Sequence, residues 1–363
     1  MVVDPSAPRA MSCAELAGPN LDKDHRMMRV ARPTTITDKG LNRAIKVVGL
    51  LLVVGVIAFA LYYWQDRRVG GAPSIADQAV AAAEAQVQKT PNDIAARDHL
   101  AAAYVSDNRL QDGIAQFGEA LKLSATDRAA LLGRGIAYVK AGQPDLAAAD
   151  FQTFIANNAS GEYAGQDPQL EQAYYELGAV QLGKGDAKSA ADTLQKALKI
   201  DASDADAMYS LGVAFDKLSR QSEAVQVLKM AAAFVPTGWC APYQELVTAY
   251  TGLKQADGAA WANGMVAMCN KQYDQAVAAL TPLTAGHLKI DALLGLGYTA
   301  AERGDNSAAT GYFNQVLAAD PQNQSAIIAL NSLTDPHASG ASGVASPSAA
   351  PAVAASATPG ASN

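Results

Sequence analysis

Residues 174–182 read YYELGAVQL and residues 208–216 read MYSLGVAFD, so the pair Leu177-Gly178 recurs 34 residues later as Leu211-Gly212. Small and large residues follow each pair at equal offsets. Ala190, Leu194 and Ala197 follow the first; Ala224, Leu228 and Ala231 follow the second, and Pro236 closes that unit. Working outward, an earlier copy carries Leu100-Ala101, Tyr104, Gly113, Phe117 and Ala120. The next carries Gly135, Tyr138, Ala147 and Phe151, and a late copy carries Leu296-Gly297, Ala309, Phe313 and Pro321. A 34-residue period across residues 92–323 is the signature of stacked repeats, each too small to bury its apolar face without its neighbours.

The spacing has a physical cause. With Leu-Gly placed at positions 7 and 8 of the unit, positions 7, 8 and 11 share one face of a first helix. The small residue lets a second helix approach, and the large residues at positions 20–27 fill the space between helices. Short polar turns such as Lys184-Gly185-Asp186 and Arg303-Gly304-Asp305 separate the two. Two departures stand out. Gly135 to Gly178 spans 43 residues, which predicts an inserted loop near 157–166. Gly212 to Gly297 spans 85, which predicts three helices at about 241–252, 256–269 and 273–284, one of them without a hairpin partner. A helix at about 75–89 with Ser74 as N-cap precedes the first copy, and a capping helix at 322–333 follows the last.

These residues resemble the tetratricopeptide repeat (TPR), whose W-x2-L-G-x2-Y…A-x3-F-x2-A…P pattern they follow over about 230 residues, without the Trp. The resemblance implies an all-α, right-handed superhelical solenoid of helical hairpins that binds protein or peptide segments. It also implies that first-helix positions 2, 5, 9, 12 and 13 line a concave groove. Carried onto this chain, position 5 is Leu132, Tyr175, Tyr209 and Leu294, and position 9 includes Ile136, Ala179, Val213 and Tyr298. Asp216 and Lys217 add a polar rim. The basic and amide residues that clamp a C-terminal carboxylate in chaperone-binding relatives are missing, so the groove suits an apolar segment. The same residues could instead pack between repeats.

Residues 47–65 (VVGLLLVVGVIAFALYYWQ) hold no charge and, as a helix, reach roughly 28 Å, about the thickness of a bilayer's hydrocarbon core. Tyr62, Tyr63 and Trp64 end the run where amphipathic rings favour headgroups. Bulky aromatics also stand where a signal peptidase would need small residues. Arg29, Arg32, Lys39, Arg43 and Lys46 lie upstream against Arg67 and Arg68 downstream, which predicts a cytoplasmic N-terminus and an extracytoplasmic repeat domain. Met27 or Met28 is an alternative start. The layout is thus a basic tail over 1–46, a transmembrane helix over 47–65 and a linker over 66–74. The repeat domain follows over 75–334, and a disordered Ala/Ser/Pro/Gly tail over 335–363. Residues 70–334 carry 18 Lys/Arg against 28 Asp/Glu, a balance that disfavours nucleic acid as a partner.

Catalytic chemistry has little foothold. His25, His99, His287 and His337 have no partner at metal-ligand spacing, so no metal or cofactor is expected. The glycine pairs Gly133/Gly135 and Gly295/Gly297 sit at the repeat's small positions rather than in phosphate loops. Cys13 lacks the apolar run of a lipobox. Cys240 and Cys269 would lie at adjoining ends of an antiparallel hairpin, either as a disulfide worth about 3–4 kcal/mol through loop closure or as two free, partly buried thiols. The sequence therefore predicts a non-enzymatic, membrane-anchored scaffold of bacterial envelope type. A self-associating structural module is the alternative, as is a cytoplasmic adaptor if the topology is inverted.

Overall fold

A computed structural model describes residues 38–68 and 74–334, with side chains for 46–63 and 74–334. The expected tails, including Cys13, His25 and His337, and the segment 69–73 lie outside the described residues. The chain divides into two compact units, Met1–Ala72 and Pro73–Asn363. The described part of the first is one helix, α1 (Asp38–Arg68). Its stretch Lys46–Tyr63 is long and apolar enough to cross a membrane, and none of it is buried.

Among its described residues, the second unit is built of helices joined by turns, with no strand. It runs through α2 (Ile75–Lys89), α3 (Ile94–Ser106), α4 (Leu110–Leu123), α5 (Arg128–Lys140), α6 (Pro144–Asn158), α7 (Pro168–Gly183), α8 (Ala187–Ile200) and α9 (Ala205–Lys217). It continues with α10 (Gln221–Phe234), α11 (Ala241–Gly252), α12 (Ala256–Cys269), α13 (Tyr273–Leu280), α14 (Lys289–Glu302), α15 (Asn306–Ala319) and α16 (Gln324–Thr334). Each packs against its predecessor and its successor, as stacked hairpins must.

Local chemistry fixes the ends. Ser74 and Asp77 form a reciprocal capping box at the start of α2. Aspartates 93, 127, 167, 186, 204 and 305 accept backbone N–H groups at the starts of α3, α5, α7, α8, α9 and α15. Seven hairpin turns share one geometry. Asn108, Gly142, Gly185, Ser219, Lys254, Lys271 and Gly304 all have φ between 58° and 85°. At each, the next residue's N–H reaches back five residues to a helix carbonyl, from Arg109 N to Tyr104 O (2.8 Å) through to Asp305 N to Ala300 O (2.8 Å).

Behind six of these turns lies one contact. Gly135 faces Phe151, Gly178 faces Leu194, Gly212 faces Leu228, Gly264 faces Leu280 and Gly297 faces Phe313, and a Cβ on any of these glycines would fall 2.4–2.7 Å from the partner. Ala101 plays the same part for Phe117. In every pair the large residue follows the small one by 16, and it is fully buried or nearly so.

The turns also settle the register that the 85-residue interval obscures. Ser219 to Lys254 is 35 residues, Lys254 to Lys271 is 17, and Lys271 to Gly304 is 33. No helix between 241 and 285 is left unpaired, contrary to the sequence expectation. α12 is the second helix of the α11 hairpin and also the first helix of the α13 hairpin, and it packs on both. It accordingly buries Gly258, Trp261, Ala262, Gly264, Met265, Ala267 and Met268, almost all around its circumference. The third helix is also shorter than expected. After Leu280 it tightens into a 3-10 turn, Thr281–Ala285, because Pro282 has no N–H to continue the α pattern.

The α11/α12 hairpin lacks the small-on-large contact. Gly258 instead takes the Tyr250 ring, and Trp261 meets Tyr243 and Tyr250 edge-on at 6.0 and 6.5 Å. The Trp261 indole donates to the Asp291 carbonyl on α14 (3.1 Å). Lys229 on α10 spans the same spot, pairing with the Asp291 carboxylate at 2.8 Å. At the other irregularity, α6 already includes 157–158 and a 3-10 turn occupies Ala164–Gln166, so the insertion is shorter than predicted. Arg128 ties it down by reaching Asn158, Asp167 and Gln169 together.

Replacing Gly212 by Val drives methyl groups into Leu228 and should lower unfolding free energy by about 1–3 kcal/mol in urea melts. Gly183→Ala, where a Cβ meets nothing within 4 Å, should change it little.

Candidate partner-binding groove

The first helices form a row because each touches the next: α3 with α5, α5 with α7, α7 with α9, and α9 with α11. The row resumes as α12, α14 and α16. Its phase changes where α11 and α12 pack as hairpin partners.

The structure sorts the residues that the repeat pattern nominates. Leu132 on α5 and Val213 on α9 are buried, and both belong to apolar clusters between repeats. They offer a partner little surface. Ile136, Ala179, Tyr175, Tyr209, Leu294 and Tyr298 are half-buried, and all but Ala179 pack against the apolar clusters. Asp216 is half-buried and Lys217 exposed, and both lie near Glu245 of α11. Tyr175 and Tyr209 stand on α7 and α9, successive first helices that touch each other. Leu294 and Tyr298 stand on α14, beyond the phase change, where Tyr298 packs edge-on against Phe313 at 5.4 Å. Tyr243 of α11 is buried beneath the row, near enough to Tyr298 to feel its charge.

Trp239 belongs to this surface and escaped the sequence reading. Its ring lies 5.3 Å from that of Tyr209, in an edge-on contact. It sits in the loop between α10 and α11, outside any first-helix position, so repeat arithmetic skips it. A Trp beside Pro236 and the left-handed Gly238 was the available signal.

The row is acidic but weakly ionised. Burial raises Glu176 from 4.5 to about 7, offset by Lys140. Burial and the facing Asp204 carry Glu171 to about 8. Burial and Asp216 also raise Glu245. Burial pushes the Tyr209 and Tyr298 hydroxyls up to about 12, with Glu245 adding to the former. At neutral pH the row thus offers aromatic rings and partly protonated carboxyls, a surface suited to apolar segments with hydrogen-bonding backbone.

Neither glycine pair forms a phosphate cradle. Gly133 and Gly135 lie against Phe117 and Phe151, and Gly295 and Gly297 against Met265 and Phe313. His99 is exposed; His287 sits 3.8 Å from Asp257, both on the surface. Among the described residues, no group of three or more His, Cys, Asp or Glu is placed to hold a metal.

The tetratricopeptide repeat family matches the chain over residues 99–162, 132–205, 175–238 and 262–324, and the last match begins inside α12. Among solved structures, MamA is 21% identical, with 54% of this chain covering 96% of that one at a TM-score of 0.42. YrrB, described as a TPR protein with an unusual peptide-binding site, is 18% identical, with 70% of this chain covering all of that one (100%) at a TM-score of 0.37. A tetratricopeptide repeat protein from Parabacteroides merdae is 13% identical, with coverages of 70% and 91% and a TM-score of 0.41. No curated protein matches the chain significantly.

Glu176 yields a pH test. Its folded-state value lies above that of the unfolded chain, so the folded protein holds the proton longer. Stability is therefore greatest below about 4.5 as far as this group is concerned, and falls as pH rises through about 7. Unfolding free energy should fall from pH 5 to pH 8, and Glu176→Gln should flatten that slope by roughly 1–3 kcal/mol in urea melts across the range.

Proposed function

This chain belongs to the tetratricopeptide-repeat family, and on that premise we propose that it is a non-catalytic, membrane-anchored scaffold of bacterial envelope type. In this reading α1 spans the cytoplasmic membrane with its basic N-terminal side in the cytoplasm. The repeat unit lies on the opposite side and holds hydrophobic segments of partner proteins against the row of first helices. The observation that carries the reading is the run of half-buried aromatic rings on successive first helices, Tyr175 on α7 and Tyr209 on α9, with Trp239 beside the latter. Rings with one face on a rigid core and one face open are the side chains that anchor partners at low entropic cost. The uncharged Lys46–Tyr63 stretch beyond Lys46, and the excess of basic residues before it, support the anchor and its orientation.

Photocrosslinkers placed at Ile136 and next to Tyr209 in intact membranes should trap a protein partner, identified by mass spectrometry. The double variant Tyr175→Ala/Tyr209→Ala should weaken that partner's binding more than about tenfold while leaving helicity unchanged. Unaltered binding would remove the groove assignment. A stable homo-oligomer in light scattering, with no partner trapped, would favour the self-associating module instead. A cysteine introduced within 335–363 in an otherwise cysteine-free chain should react with an impermeant thiol reagent in whole cells. Protection there would place the repeats in the cytoplasm.

A further inference from the structure

The one hairpin without the small-on-large contact is the one that carries the two described cysteines. Cys240 is the N-cap of α11 and Cys269 is the last residue of α12, so they meet at the end of the hairpin opposite its turn at Lys254. Both are free, half-buried thiols, and Cys240 is close enough to bear on the ionisation of Cys269. Both also lie close to the buried ring of Tyr243, whose hydroxyl donates to the Pro236 carbonyl at 3.0 Å. Cys240 directly follows Trp239, so whatever fixes Cys240 fixes the loop that carries that ring.

We infer that Cys240 and Cys269 are an oxidation site, a thiol pair that closes into a disulfide and clasps the α11/α12 hairpin where the repeat changes phase. Two cysteines at the adjoining ends of an antiparallel helix pair are placed for such a bond, which needs their Cα atoms within about 7 Å. The oxidant is a second disulfide, either a small-molecule disulfide or that of a dithiol oxidoreductase. The Cys240 thiolate attacks one of its sulfurs, forms a mixed disulfide and releases the first thiolate. Cys269 then gives up its proton to solvent, and its sulfur attacks that of Cys240 and expels the second thiolate. Two protein thiols are oxidised and one external disulfide is reduced to two thiols. Burial and the neighbouring sulfur raise Cys269 and hold its proton, so the first attack falls to Cys240.

The full-length protein in detergent, reduced and then treated with oxidised glutathione, provides the test. Peptide mapping after alkylation should find Cys240 joined to Cys269, both losing reactivity together, with Cys13 outside the link. The thermal midpoint should rise on oxidation and return with dithiothreitol. Cys269→Ser should stop at glutathione on Cys240 and show no rise. Retained alkylation of both residues, a wild-type reaction that halts at the mixed disulfide, or a link that leaves the midpoint unmoved would each overturn the clasp.

Discussion

Six times along the described chain, a Phe or Leu side chain fills the space that a Gly or Ala sixteen residues earlier leaves open. Two helices of a hairpin can lie this close only if one presents no side chain at the contact and the other presents a large one. The spacing follows from the geometry of the hairpin. Half of a first helix, a turn with one left-handed residue and half of a second helix bring the two positions opposite each other. Once they are seated, the outer faces of the hairpin are set for the next hairpin. The polar ends follow, with aspartate caps at helix starts and left-handed turns at their ends. The 34-residue period is the length that lets this seat recur.

The departure at α12 shows what the seat does and what can replace it. Between Lys254 and Lys271 the chain turns twice within 17 residues, so one helix serves two hairpins. α12 gives its Gly264 side to Leu280 of α13 in the standard way. Its other side meets α11 through aromatic rings, and Trp261 reaches across to α14 as well. A helix used on both sides cannot keep a polar stripe, and α12 keeps only Asp257 and a few small or amide residues outside the core. The row of first helices therefore shifts from α11 to α12. The row consists of two stretches, α3 to α11 and α12 to α16, rather than one unbroken series.

Most of this fold was legible because the seat is written in residue types: Gly178 with Leu194, Gly212 with Leu228 and Gly297 with Phe313 can be found by counting. The phase change was not. Its first hairpin has no Gly at the expected position, so the 85-residue interval looked like two and a half units with a spare helix. The absence of a charged face in 256–269 carried the missing information, since it marks a helix covered all round. The candidate groove was legible only in part. Position arithmetic finds Tyr175 and Tyr209, but it cannot tell Leu132 and Val213, which neighbouring repeats cover, from residues left open. It cannot find Trp239, which enters from a loop. Nor does sequence show that the Glu176 carboxyl is raised to about 7, because the cause is burial, which only the folded chain supplies.

These features bear on one another. The seat makes the repeat unit rigid, that rigidity presents the aromatic row, and the doubled role of α12 sets where the row changes phase. Amide hydrogen exchange on the intact protein tests the last step most directly, since protection reports how firmly each helix is held from both sides. If α12 serves two hairpins, the amides of 256–269 should exchange as slowly as those of α8 and α10. Exchange as fast as in the turn at 159–167 would show a loosely attached helix and contradict the account.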